Sequence, residues 1–329
     1  MQLPKISIIT PSYNQGAYIE DTILSVLNQN YPNLEYIIID GGSTDNSTDI
    51  IRKYEHRVTY WRSEKDTGQS DAINKGLVRA TGDVIGWLCS DDLYLPGTLH
   101  KVAAVFQNSP ETVMLHGGSI LFGEGRKEIV KAAEREDLFL RYFSVIPFPQ
   151  PSSFFRRKLI DEQGLLENKL HFAMDYDLLI RAALHYKITP VDDVLSKYRL
   201  HNKSKTSSRL EKFAEEWIKV FSKFLRSVEF GEQHCLMLKK IELYDSGSDV
   251  YSGNYRFSEM EIQKIVLYFL DFMSHLHYLF VRKKRTLEIL SCIKSLDKNF
   301  YEHRHLNSIA FRAAYFPSSL IRLIRKIKK

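Results

Sequence analysis

The chain has 329 residues, 44% hydrophobic and 26% charged, the balance of a soluble globular protein with room for an enzyme domain and an accessory region. That balance excludes collagen-like and disordered classes. Cys89, Cys235 and Cys292 form no C-x-x-C pair, which argues against a disulfide framework or a cysteine zinc site and for a reducing compartment. The net charge of +6 is uneven: residues 206–329 carry 22 of the 46 Lys/Arg but 14 of the 40 Asp/Glu, so the basic excess is C-terminal and points to an anionic surface.

The first half alternates short β-rich runs with helical spacing. Ile6–Thr10 reads as a strand and is too short for a signal-peptide core. Ile19–Gln29 has Ile23, Leu24 and Leu27 on one helical face. Strands are expected at Tyr36–Asp40, Val58–Trp61, Val84–Leu88 and Val113–Gly117, and helices at Ser47–Tyr54, Ser70–Thr81 and Leu99–Asn108. Strands separated by helices imply βαβ crossovers, hence an α/β fold with a mostly parallel sheet. From Phe122 to Pro151 the pattern loosens, and Pro147–Pro151 must be extended. Asp177–His185 is helical again and Val194–Arg199 is a short strand. Past Thr206 only helices are expected, at Glu211–Val228, Glu259–Val281 and Thr286–Ser295. The division is therefore residues 1–205 as the catalytic domain and 206–329 as a basic helical region. Ile262–Val281 is interrupted by Lys264, Asp271, His275 and His277, so it reads as a buried or interfacial helix rather than a membrane span.

Ligands of parallel α/β sheets sit at the carboxyl ends of strands. Thr10-Pro11-Ser12-Tyr13-Asn14 follows the first strand, and Asp40-Gly41-Gly42-Ser43-Thr44-Asp45 the second. Ser63-Glu64-Lys65-Asp66-Thr67-Gly68 follows the third, and Cys89-Ser90-Asp91-Asp92 the fourth. Polar, acidic and glycine-rich residues thus collect on one sheet edge. Adjacent Asp91 and Asp92 repel one another unless a cation intervenes. A hard divalent ion with oxygen ligands fits, and Mg²⁺ commonly joins carboxylates to substrate phosphates.

These stretches resemble the family 2 glycosyltransferases, which share the A-type nucleotide-sugar-binding fold and build bacterial surface polysaccharides. Also matching are Asp71-Ala72-Ile73-Asn74-Lys75-Gly76, Gly82–Leu88, Asp175-Tyr176-Asp177-Leu178 and Tyr198–Ser204. Together the matches run in the family's order through about 200 residues.

The resemblance implies an inverting transfer of a sugar from a nucleotide diphosphate, most often a uridine one, to a hydroxyl of a glycan or lipid-linked glycan. Pro11, Ser12 and Tyr13 would lie beside the nucleoside, and Asp40 would bond the base. Asp66, Asp71 and Lys75 would line the nucleoside and sugar side, with Ser90 and Asp91 at the donor. Mg²⁺ or Mn²⁺ would be held by Asp91 and Asp92, helped by His201. Arg199, Lys203 and Lys205 would meet phosphate charge. Asp175 would be the base that takes the acceptor's proton. Departures are Gly41 after Asp40, Cys89 two residues before Asp91, and Met174 before Asp175, where relatives often carry acids. A thiol is a poor Mg²⁺ ligand.

Ser318–Lys329 sets Leu320, Ile321, Ile324 and Ile327 among five Lys/Arg, a basic amphipathic pattern, and Arg282-Lys283-Lys284-Arg285 adds a second cluster. The expectation is a cytoplasmic protein, peripheral at an anionic inner plasma-membrane face. Nucleic acid is not an expected partner, because it leaves the acidic cluster unexplained. A nucleotidyltransferase would want a basic glycine-rich loop near the first strand, and Thr10–Gly16 has no Lys or Arg. A dinucleotide oxidoreductase would want G-x-G-x-x-G there. A nucleotide-sugar-binding scaffold without turnover is the remaining alternative.

Overall fold

The computed structural model describes residues 3–123, 128–131, 135–201, 210–247, 249–253 and 255–321. They form two compact units, residues 1–136 with 146–209 and residues 137–145 with 210–329. The grouping of 137–145 with the helical unit is not legible in the sequence pattern.

The first unit is built on a nine-stranded sheet. β1 (Ile6–Ser12) is buried along its whole length, as a central parallel strand should be. It lies parallel to β2 (Leu34–Asp40) on one side and β4 (Val84–Trp87) on the other. β3 (Tyr60–Ser63) extends the parallel set beside β2. The crossovers carry α1 (Ile19–Leu27), α2 (Ser47–Lys53) and α3 (Gln69–Arg79). Next come β5 (Leu93–Tyr94), α4 (Thr98–Asn108), β6 (Thr112–Phe122) and β7 (Ile129–Lys131). β8 (Ser153–Arg156), α5 (Arg157–Gln163), α6 (Met174–His185) and β9 (Lys187–Arg199) complete the unit.

The sheet order is β3-β2-β1-β4-β8-β6-β9-β5, with β7 beside β6. Only its first half is uniformly parallel. β8 runs antiparallel to both β4 and β6, and β5 runs antiparallel to β9. β8 and α5 fall between Pro151 and Asp177, where no element is expected, and β9 begins seven residues before the expected strand. One core packs Ile6, Ile8, Ile23, Tyr36, Ile38, Leu99 and Phe106 together. On the other face Gly76 lets α3 close on Ile9, which a Cβ at 76 would strike.

Two consequences position the site. The parallel strands β1 to β4 all end on one edge. The pairing of β5 with β9 brings Arg199, the last residue of β9, to the turn that follows β4.

In the second unit α7 (Leu210–Arg226), α8 (Glu232–Lys240), α9 (Glu259–Leu279), α10 (Lys283–Leu296), α11 (Lys298–His303) and α12 (Asn307–Tyr315) pack together. Ser258 and Glu261 form a capping box that starts α9. Phe221 of α7 stacks on Phe269 of α9 at 3.7 Å, and Phe143 stacks on Phe224. Asp271, buried in α9, is held by Arg304 at 2.7 and 2.9 Å. No helix among the described residues is long and apolar enough to cross a membrane.

Candidate active site

The loops after β1 and β2 are laced together. Asn14 adopts φ 51°, and its Oδ1 accepts the Thr44 N–H at 2.8 Å while its own N–H donates to Ser43 Oγ. The Gln15 N–H donates to Ser47 Oγ and the Gly16 N–H to Asp45 Oδ2. Asp40, the last residue of β2, is fully buried. It accepts from Ser43 N (2.8 Å), Ser43 Oγ (2.5 Å) and Ser63 Oγ (2.7 Å). A carboxylate offers about four acceptor positions, so these three bonds leave one unused. Pro11 is buried in the same strand; Ser12 Oγ is buried with no hydrogen-bond partner among the described residues, and the Tyr13 ring is 58% exposed.

Asp66 stands next to this pair of loops. Its carboxylate fills the space a Cβ at Gly41 would take and accepts the Gly68 N–H at 2.9 Å. Burial raises its pKa above the ordinary carboxylate value, against the opposing pull of Gly68 and Lys75. Gly68 sits at φ 133°, a conformation that side chains rarely adopt, and opens α3. Asp71 in the first turn reaches back to the Thr67 N–H, which holds its pKa low together with Lys75. Lys75 lies 3.4 Å from Glu64 and 3.5 Å from Asp71, so its ammonium balances this acidic group.

The turn after β4 carries Cys89, Ser90, Asp91 and Asp92. Ser90 is buried. Asp92 is 1% exposed; its Oδ1 accepts the Arg199 N–H at 2.8 Å, and its carbonyl accepts Thr22 Oγ1. Burial, then the neighbouring Asp91 charge, pushes its pKa well above the ordinary value. Asp91 is more open, and its Oδ2 meets His201 Nε2 at 2.9 Å. His201 in turn lies against the Tyr18 ring at 4.6 Å. Arg199, expected at phosphate, is committed to the protein: Nε donates to the Asp91 carbonyl and an Nη to Asp21, both within 2.9 Å. Its guanidinium also rests on Tyr18 and Phe122.

Whether these residues suit a divalent cation can be tested on the donor set. The ligand atoms of Cys89, Asp91 and Asp92 lie within 4.8 Å of one another. Asp91 and His201 stand at a separation where a carboxylate and an imidazole share either a proton or an ion. The donor set fits, with Asp91 and His201 its accessible members and Asp92 turned to the backbone of Arg199. Cys89 Sγ is occupied otherwise: it accepts from Gln69 Nε2 at 3.1 Å and faces Gln150 Oε1 at 3.9 Å.

Asp175 lies in the first turn of α6, which begins three residues earlier than its periodicity indicates because Met174 and Tyr176 are buried beside the expected stripe. Asp175 lines a small pocket with Trp87, Phe148, Gln150, Phe155 and Leu178. Asp177, two residues on, is 3% exposed and pairs with Arg181 at 2.9 Å. Arg181 then donates to the carbonyls of Gln163 and Gly164, which ties α6 to the end of α5.

Lys203 and Lys205 lie outside the described residues. Sequence reasoning missed Asp21 and Tyr18, which hold Arg199, and Gln69, which holds Cys89. Asp21 and Arg199 are 178 positions apart, so no local pattern signals their pairing.

The Glycosyl transferase family 2 profile matches residues 7–164. An uncharacterised glycosyltransferase of Nostoc sp. is 30% identical over 225 residues, covering 64% of this chain and 70% of that one. The chain belongs to the family 2 glycosyltransferases. Among solved structures, this glycosyltransferase resembles Staphylococcus aureus TarS 1–349 in complex with UDP-GlcNAc, with TM-score 0.59 and 17% identity, covering 99% of this chain and 92% of TarS. It also resembles the Pyrobaculum calidifontis mannosyltransferase PcManGT in complex with GDP-Man and Mn²⁺, with TM-score 0.56 and 17% identity, covering 95% and 87%. At that identity the likeness concerns the fold, which for this glycosyltransferase is the A type: a mixed sheet with flanking helices and a C-terminal helical region.

Proposed function

We propose that this glycosyltransferase transfers a sugar with inversion from a uridine diphosphate donor to a hydroxyl of a glycan or lipid-linked glycan. The product would belong to a surface polysaccharide or glycolipid, made at the cytoplasmic face of an anionic membrane. The observation that carries the reading is the convergence on one sheet edge of Asp40, Asp66, the Asp91–His201 pair and, from α6, Asp175. The TarS complex with UDP-GlcNAc supports a uridine donor, and the PcManGT complex supports a divalent ion.

In this reading the laced loops hold the nucleoside. Tyr13 covers the base, and Asp40 uses its remaining acceptor position on a base N–H. Lys75 offsets the carboxylates Glu64 and Asp71 beside the sugar. Asp91 and His201 would hold Mg²⁺ or Mn²⁺, which when bound offsets the charge of the leaving diphosphate. Asp92 and Arg199 act as positioning residues that fix the turn carrying Asp91. Asp175 accepts the proton of the acceptor hydroxyl as that oxygen attacks the anomeric carbon. The apolar wall of Trp87, Phe148 and Phe155 restricts water, which would compete as acceptor.

Donor turnover and donor binding separate these roles. Asp175→Asn should bind the nucleotide sugar as tightly as wild type by calorimetry while turnover falls about 10²- to 10⁴-fold, the usual worth of a general base. Turnover within a few-fold of wild type in Asp175→Asn would remove it from the mechanism.

A further inference from the structure

Helix α12 of the second unit turns aromatic rings to solvent. Phe311 and Tyr315 stand one helical turn apart, 57% and 74% exposed, with ring centroids 5.0 Å apart. Phe316 meets Phe311 nearly edge-on at 6.0 Å. Leu320, 36% exposed, continues the apolar run. Scattered exposed apolar residues need no explanation, but a contiguous cluster marks a surface that something covers.

The charge around the cluster says what covers it. Lys283 Nζ approaches the Ala314 carbonyl at 3.5 Å, beside Tyr315, and Lys284 is exposed next to it in sequence. The other two members of that basic run are already engaged: Arg282 pairs with Glu211, and Arg285 with Glu242 and Glu288. Residues 303–329 contain seven Lys/Arg and no Asp or Glu. Rings flanked by lysines match a lipid interface, where amphipathic rings settle at headgroup depth and ammonium groups meet anionic heads.

We infer that the aromatic face of α12, with Lys283 and Lys284, docks this protein on anionic lipid, Phe311 and Tyr315 entering the headgroup layer. The inference rests on the membrane-surface reading above and deepens it. Docking is assigned to particular side chains of the folded unit rather than to the basic tail alone. Residues 322–329 of that tail lie outside the described residues. The geometry also explains why aromatic residues stay exposed on a helix whose opposite side buries Ile309 and Ala313.

The test is flotation of the full chain with phosphatidylcholine vesicles, with and without phosphatidylglycerol. Wild type should float with the anionic vesicles only. F311S/Y315S should lose about tenfold in partitioning. K283S/K284S should lose binding that salt also removes from wild type. Both variants should keep the wild-type melting temperature, because the substituted side chains are not buried in the core. Equal flotation of F311S/Y315S and wild type would overturn the docking face while leaving the membrane reading in place. No flotation of wild type with either vesicle would remove both. A dimer by light scattering that F311S/Y315S dissolves, without vesicle binding, would replace lipid by a second copy of this chain.

Discussion

The carboxylate of Asp66 occupies the space that a side chain at Gly41 would need. An acid from the next strand end, held by the Gly68 N–H, thus fills the space beside Gly41, where relatives often carry a second acid. Gly41→Ala should force Asp66 aside. The clash is with the far end of a half-buried side chain that can turn away, so stability should change little while nucleotide affinity falls. The check is chemical denaturation together with titration of a nucleotide diphosphate. Unchanged affinity in a folded Gly41→Ala would dissociate Asp66 from the donor.

Arg199 is predicted to act on the turn rather than on phosphate. Arg199→Ala removes the bonds to the Asp91 carbonyl and to Asp21. Arg199→Lys should rescue little, because an ammonium cannot reproduce the guanidinium fork or its stacking on Tyr18 and Phe122. Melting temperature and metal affinity should drop in both variants. If Arg199→Ala weakened only nucleotide binding, with stability intact, the residue would belong at the diphosphate.

Asp175 and Asp177 sit two residues apart and should behave as opposites. Asp177→Ala strands the buried Arg181, and breaking a buried pair in this way costs about 3–5 kcal/mol. Asp175→Ala should leave the urea midpoint close to wild type. Similar midpoints for both variants would contradict this division of roles.

These residues show what is legible in sequence. The parallel half of the sheet and its acidic edge follow from strand–helix alternation and from the residues after each strand. β8, α5, α8, α11 and α12 were not legible, because Gln150–Gln163 lacks an extended period and the short helices pack through few apolar positions. The residues on that edge were legible in the sequence, but the hydrogen bonds that tie them together were not. The sequence marks Asp92 and Arg199 as ligand contacts and gives no sign of the bond between them. The pairing of β5 with β9 that creates it is a long-range event.

Stability should fall as pH drops from about 6.5, the unfolded histidine value. Burial, then Arg282, pushes His277 down to about 4; burial, then Arg135, pushes His116 to about 3. Folding favours their neutral forms, so the unfolded chain binds more protons in this window and stability is lost with acid. Glu35 extends the loss to lower pH. Burial alone would raise it, but hydrogen bonds from Lys5, Ser7 and Thr81 hold it at about 2. Its contribution is present above 4.5 and disappears toward 2. The urea midpoint should therefore decline steadily from pH 6.5 to 4, and His277→Leu should flatten the upper part of that decline. A midpoint constant between pH 7 and 5 would contradict the assignment.

The edge formed by β1 to β4 should carry a metal-assisted nucleotide diphosphate site. Its most direct test is a thermal-shift panel of nucleotide diphosphates with and without Mn²⁺. A ligand that binds only the folded state raises the melting temperature by mass action. Uridine diphosphate should give a metal-dependent rise that Asp91→Ala abolishes and Asp175→Ala retains. No metal-dependent rise with any nucleotide diphosphate would contradict it.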